Sequence, residues 1–339
     1  MKRDSPPCVE EFKEVDMSTR FAVATAQGVR LIEIDSGQMR QIHVGLMGLR
    51  ITSIINVNGV LLAGTLEGIY RSMDGGKRWL LSSIGLRERY VRSLSAIPSQ
   101  SGHILAGTEP ATIHISHDTG LSWRECREIA ALRNEKGWFL PYSEAHGCVR
   151  GFAFHDFRSY AAAEVGGVLR SDNEGETWRL VPGCTGDPVA RIPPSYIHTD
   201  VHSIETHHST QGLLFAATGG GFYRSENGGG SWQHVNQCYC RALWVDPHDP
   251  NHIILGSADA VDTNGRIEET INGGNSWRPS TGSLPARWPG HMVDRFYIHD
   301  GDLYGILTNG SIITSRIGKF DWAPVFPELT HVTGIVAIS

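Results

Sequence analysis

Apolar positions along this chain come in short runs, not at the three-and-four spacing of an amphipathic helix. Leu61-Leu-Ala-Gly-Thr65 and Leu214-Phe-Ala-Ala-Thr218 are apolar runs that end in small residues. Segments opened by glycine read as their hairpin partners: Gly-Ile-Tyr-Arg-Ser at 68–72, Gly-Val-Leu-Arg-Ser at 167–171 and Gly-Phe-Tyr-Arg-Ser at 221–225. Runs of this length, rich in β-branched and aromatic residues and punctuated by glycine, predict paired strands.

A motif follows these strands five times: a small hydroxyl residue, any residue, Asp or Asn, any residue, Gly, two residues, Trp. The copies are Ser72-Met-Asp74-Gly-Gly76-Lys-Arg-Trp79, Ser116-His-Asp118-Thr-Gly120-Leu-Ser-Trp123 and Ser171-Asp-Asn173-Glu-Gly175-Glu-Thr-Trp178. Ser225-Glu-Asn227-Gly-Gly229-Gly-Ser-Trp232 and Thr270-Ile-Asn272-Gly-Gly274-Asn-Ser-Trp277 complete the set. Their glycines at 76, 120, 175, 229 and 274 stand 44, 55, 54 and 45 residues apart. That period matches one four-stranded blade of a β-propeller. An Asx side chain can close a turn on the backbone that follows it. Glycine supplies a conformation that a side chain would forbid. The Trp is large enough to wedge between neighbouring sheets.

The five segments resemble the Asp-box (BNR) repeats of sialidases, sortilin-type receptors, xyloglucan-hydrolysing enzymes and photosystem II assembly factors. The resemblance covers roughly residues 50–280. It implies a propeller and no particular activity, because in those families the box lies at hairpins away from the active face.

Two degenerate blades complete the ring. Strands are predicted at Phe21–Thr25, Gly28–Ile34 and Met39–Val44, and again at Phe296–Asn309, Ser311–Arg316 and Trp322–Phe326. His331–Ile338 reads as an inner strand without partners of its own. Joined to the three N-terminal strands it closes the ring and removes the open edges. The expected fold is therefore all-β: a seven-bladed propeller of four-stranded antiparallel blades over residues 20–339, after a flexible leader at 1–19.

Composition narrows the function classes. The 339 residues carry a net charge of -6 with no basic run, which argues against nucleic acid. No apolar stretch reaches the ~20 residues of a membrane span. With six cysteines and no apolar signal core near the N-terminus, reduced thiols and a cytoplasmic location are expected. Cys148, Cys184, Cys238 and Cys240 fall in expected loops and read as buried small hydrophobes.

Aligning the seven inner strands places Thr52, Arg92, Arg150, His202, Arg241, Asp294 and Thr333 at one equivalent position, at the mouth of the axial channel. A slip of one residue would exchange Asp294 for Arg295. Arg92, Arg150 and Arg241 suit a carboxylate or phosphate, because each guanidinium offers a planar fork of donors. Polar residues lining a water-filled channel are the plainer alternative.

The second strands of most blades end in a hydroxyl residue (Thr25, Thr65, Thr108, Thr218, Ser257), whereas blade four has Glu164. Beside Arg150, this carboxylate is either a general acid/base or half of an ion pair. His198-Thr-Asp200-Val-His202 sets three side chains on one side of an extended segment, as a divalent-metal site or a base with its orienting carboxylate. Three long loops, 127–147, 183–199 and 279–292, carry Trp138, Phe139, Tyr142, Tyr196, Trp288 and His291, which could roof the pocket.

Two functions follow. The first is a lyase, isomerase or hydrolase acting on an anionic small molecule or acidic sugar. Arg92, Arg150 and Arg241 would bind it, and Glu164, His202, Asp200 and Asp294 would supply acid–base groups. The second is a non-catalytic module or assembly factor whose loop face grips a protein or glycan. Arg191-Ile-Pro193 resembles a sialidase signature but stands mid-chain. The photosystem II assembly factors carry an export signal and a basic patch, neither of which is found here.

Overall fold

A computed structural model describes residues 18–338 of the chain, so nearly all of the expected leader lies outside the described residues. Seven four-stranded antiparallel sheets form the blades. In blade one the last strand, Val332–Ile338, is innermost and pairs with Thr19–Thr25; Gly28–Asp35 and Gln38–Gly45 follow outward. Phe21 faces Ala337 and Val23 faces Ile335 in that closing register. The inner strands of blades two to seven are Ile51–Val57, Tyr90–Ala96, Cys148–His155, Val201–Thr206, Tyr239–Asp246 and Val293–His299.

The last blade has the four strands expected of it. The run at 296–309 is two strands, divided by a hairpin in which Asp300 and Gly301 both take positive φ.

Each of the five repeated motifs folds into the same hydrogen-bonded turn. In the first, Ser72 Oγ donates to Asp74 Oδ1 at 2.9 Å and accepts from Gly76 N at 2.9 Å, while Asp74 Oδ1 also accepts from Arg78 N at 2.8 Å. The set recurs at Ser116/Asp118/Gly120 and at Thr270/Asn272/Gly274. The motif glycines sit at φ between +79° and +95°. A Cβ on Gly120 would also lie 2.2 Å from Leu62 of the preceding blade.

Burial is concentrated between blades. Val57, Leu62 and Ile69 of blade two pack with Val91, Leu94, Ile104 and Trp123 of blade three. Phe21, Val23 and Ile32 of blade one pack with Tyr304, Ile306 and Ile312 of blade seven, so the ring is closed by apolar contact as well as by the shared sheet. A fully buried side chain of this size contributes about 1.5–3 kcal/mol.

One stretch predicted as loop is helical. Arg127–Lys136 forms a ten-residue α-helix of good helix formers, with Glu128 in its first turn and Arg133 and Lys136 in its last. Gly137, at φ 65°, ends it in the left-handed conformation. No helix is long and apolar enough to cross a membrane among the described residues.

Candidate functional site

The seven aligned positions are seven β-bulges. In every inner strand the ladder to the second strand skips one residue, and those residues are Thr52, Arg92, Arg150, His202, Arg241, Asp294 and Thr333. A bulge leaves one residue unpaired and re-aims its side chain. The ring of bulges therefore turns seven side chains toward the axis at one level. Asp294, not Arg295, is the bulged residue of blade seven.

The seven then divide by chemistry. Thr333 Oγ1 donates to Ile51 O at 2.7 Å, Thr52 Oγ1 bonds Val91 O, and His202 Nδ1 donates to Cys240 O at 2.8 Å. Each acceptor is the carbonyl just before the next blade's bulge. These three side chains tie neighbouring blades together. In blade three Ser93 does the equivalent work, donating to Val149 O at 2.9 Å, which leaves Arg92 free to point inward.

Arg150 is the centre of the inward-pointing group. Its Nη1 donates to Glu164 Oε2 and its Nη2 to Asp294 Oδ1, both at 2.9 Å. Asp294 also receives Arg295 at 3.1 Å and Arg241 at 3.5 Å. Glu164 further accepts from the Tyr142 hydroxyl at 2.8 Å and the Cys148 thiol at 3.4 Å. Burial pushes that thiol up to about 12, so it remains a donor. Burial by itself would raise Glu164, but the charge of Arg150, with lesser help from His202 and the hydrogen bonds from Arg150 and Tyr142, holds it at about 2. Glu164 is thus held in its ionised form at neutral pH, the state of a base and not of a proton donor. Asp294 is likewise held well below the usual carboxylate range, as its arginines outweigh burial.

Above this network lies a pocket of about 440 Å³, bordered by Arg50, Arg92, Arg150, Arg241 and Arg295 against Asp262 and Asp294. Among the described residues Arg92 hydrogen-bonds through Nη1, which meets Tyr90 at 2.7 Å and Glu109 at 3.1 Å. Arg92 and Arg241 lie over the Tyr90 and Tyr239 rings, at 5.3 and 5.7 Å from the centroids. Stacking fixes the guanidinium planes and leaves N–H edges for a ligand.

Of the long-loop aromatics, Trp138, Trp288 and Tyr196 do not border this pocket, and Tyr142 does. Trp138 is 1% exposed, donates its indole N–H to Gly186 O at 2.7 Å and belongs to the core. Trp288 is also core, and His291 stacks on it at 5.3 Å. Tyr196 is half-buried in its own loop, with its N–H on Pro193 O. The pocket's aromatic lining is Tyr90 and Tyr142. Cys148 and Cys240 lie on inner strands and not in loops.

The expected metal set is rearranged. His198 turns away: its Nδ1 accepts from Asp200 N at 3.1 Å and its ring packs where a Cβ on Gly220 would be. Glu164, Asp200 and His202 instead bring one ligand atom each within 4.8 Å of one another. Glu109 and Tyr239 were missed as participants, whereas Tyr142 is the aromatic of loop 127–147 that does border the pocket. Glu109 lies one residue past the expected strand-end hydroxyl, Thr108, and Tyr239 two before the bulge. Only the blade geometry turns those offsets toward the axis.

Below the arginine network a second chamber of about 190 Å³ contains Glu205. Burial raises this carboxyl to about 7. Because its folded value lies above its unfolded value, the protonated form stabilises the fold, and that contribution is lost as pH rises from about 4.5 through 7. The chamber is wide enough for water, which reduces the penalty, so about 1–3 kcal/mol is expected across that window. Glu205→Gln should flatten this part of the stability–pH curve in urea titrations. An unchanged slope would show that Glu205 is solvated.

No family model matches the chain, and no curated protein matches it in sequence. Solved structures do. An ancestral GH74 enzyme superposes with a TM-score of 0.59 at 16% identity, over 95% of this chain and 40% of that one. YCF48 from Cyanidioschyzon merolae gives 0.59 at 12% identity, over 89% and 96%. YCF48 bound to D1 peptide gives 0.54 at 14%, over 86% and 85%. The shared property is the fold. This chain spans well under half the length of the GH74 enzyme, and a glycoside hydrolase and a peptide-bound protein carry the same propeller.

Proposed function

We propose that the chain binds a small anionic molecule, an acidic sugar among the candidates, in the axial pocket through Arg92 and Arg241. The observation that carries this reading is the lining of five arginines against two aspartates in a cavity of about 440 Å³. Arg150 serves as the rigid base of the pocket, since Glu164 and Asp294 already occupy it. Catalysis by Glu164, His202 and Asp200 on the same ligand has less support: Glu164 is held ionised, and His202 is tied to the Cys240 carbonyl.

Calorimetric titration with glucuronate, inorganic phosphate and neutral glucose tests the reading. Arg92→Ala and Arg241→Ala should each weaken anion binding about tenfold or more, the loss of one charge-assisted hydrogen bond. Arg191→Ala, on an exposed loop, should not. Equal binding of the neutral sugar, or no effect of either pocket variant, would overturn it.

A protein partner is favoured by one separate observation. Met73, Leu80, Leu81, Ile84 and Leu121 are exposed together and border a groove at the outer edge of blade two. That surface is remote in the fold from the inner strands, so the pocket variants should leave it unaffected.

A further inference from the structure

We infer that Glu164, Asp200 and His202 form a binding site for one divalent transition-metal ion, beside the arginine-lined pocket. The decisive feature is the geometry between His202 and Asp200. His202 is 4% exposed, and its Nδ1 faces the Cys240 carbonyl at 2.8 Å. A carbonyl only accepts, so Nδ1 carries the proton and Nε2 is the ring nitrogen turned toward Asp200. A carbonyl behind the ring is also the usual support of a metal-bound imidazole.

Asp200 Oδ1 lies 3.1 Å from that Nε2. It is nevertheless a buried oxygen without a hydrogen bond. An imidazolium–carboxylate pair would aim the N–H at the oxygen. Two ligands of one ion behave differently: each points at a third position, and they stand side by side. At metal–ligand bonds of about 2.0–2.1 Å, tetrahedral neighbours are about 3.3 Å apart, close to the separation seen.

The surrounding chain is shaped for this arrangement. Asp200 Oδ2 sits where a Cβ on Gly219 would be, at 2.2 Å, so the glycine is required for the carboxylate to occupy its place. Glu164 brings the third donor from blade four, where the other blades mostly have a hydroxyl that closes its own turn, as Thr218 Oγ1 does on Gly221 O at 2.7 Å. One imidazole and two carboxylates suit Zn²⁺ or Mn²⁺ and offer too few oxygens for Ca²⁺. The Tyr239 hydroxyl also lies near Nε2, at 3.4 Å. It is a weak partner that an ion can displace.

The test uses the full chain, stripped with chelator, dialysed, and titrated with ZnCl₂ and then MnCl₂ by calorimetry, with elemental analysis after gel filtration. One equivalent is expected, together with a rise in melting temperature on metal addition. Asp200→Asn and His202→Gln should each weaken uptake by at least about tenfold, and His198→Gln should leave it unchanged. Should His202→Gln fail to fold, Asp200→Asn decides, because that Oδ1 makes no hydrogen bond to lose. Absence of saturable uptake by the folded wild type, or uptake that survives Asp200→Asn, would overturn the site and leave a histidine–carboxylate contact only. Loss in His198→Gln would reassign it to the neighbouring histidine.

Discussion

Arg150→Ala is expected to lower the unfolding free energy by about 3–5 kcal/mol, the usual cost of removing one partner from a buried charge network. The Arg150 side chain is 9% exposed and lies between Glu164, at 5%, and Asp294, at 20%. Without the guanidinium Glu164 loses its arginine partner, while Asp294 keeps Arg295 and Arg241. Tyr142 and the Cys148 thiol cannot compensate, because neither carries a positive charge. Urea denaturation measures the loss. A control follows from the same physics: adding Glu164→Gln and Asp294→Asn to an Arg150→Met chain should recover much of it, since replacing a whole buried ionic network is often close to neutral. A loss below about 1 kcal/mol for Arg150→Ala would mean that water already screens the network.

Trp138→Ala should be of similar size, about 3–5 kcal/mol, typical of truncating a buried aromatic to alanine. The indole is 1% exposed and packs among Ile113, Cys126, Ile129 and Ala163. Its ring lies 2.8 Å from where a Cβ on Gly166 would sit, so the backbone has closed tightly on it. The variant separates two roles for this residue. A core residue gives a large drop in melting temperature with anion affinity unchanged in the surviving folded fraction. A ligand-stacking residue would give weaker binding with near-normal stability.

These two residues also mark where a single chain can be read and where it cannot. The five turn motifs were legible because each is local: Ser72, Asp74 and Gly76 satisfy one another within five residues, and the same bonds recur at every copy. Closure by residues 331–338 was legible because an inner strand without partners has a single place to go in a ring. The equivalence of Arg92, Arg150, Arg241 and Asp294 was legible from the aligned inner strands, but that each is a bulge came only from the strand registers.

What the sequence by itself determined is therefore the repeat, the ring and the level at which charges meet. Only the tertiary structure decided which of those charges remain available. Arg150 looked like a ligand-binding fork, yet Glu164 and Asp294 reach it from its own blade and from blade seven. His198 and His202 looked equivalent on an extended segment. A backbone carbonyl 38 residues away fixes His202, while a local turn draws His198 aside. Trp138 and Trp288 looked like a roof, but the loops fold their aromatics inward, where burying a large apolar face gains more than exposing it. Local pattern specifies backbone geometry; the pairing of charges and the destination of loop side chains depend on neighbours brought close only by the closed ring.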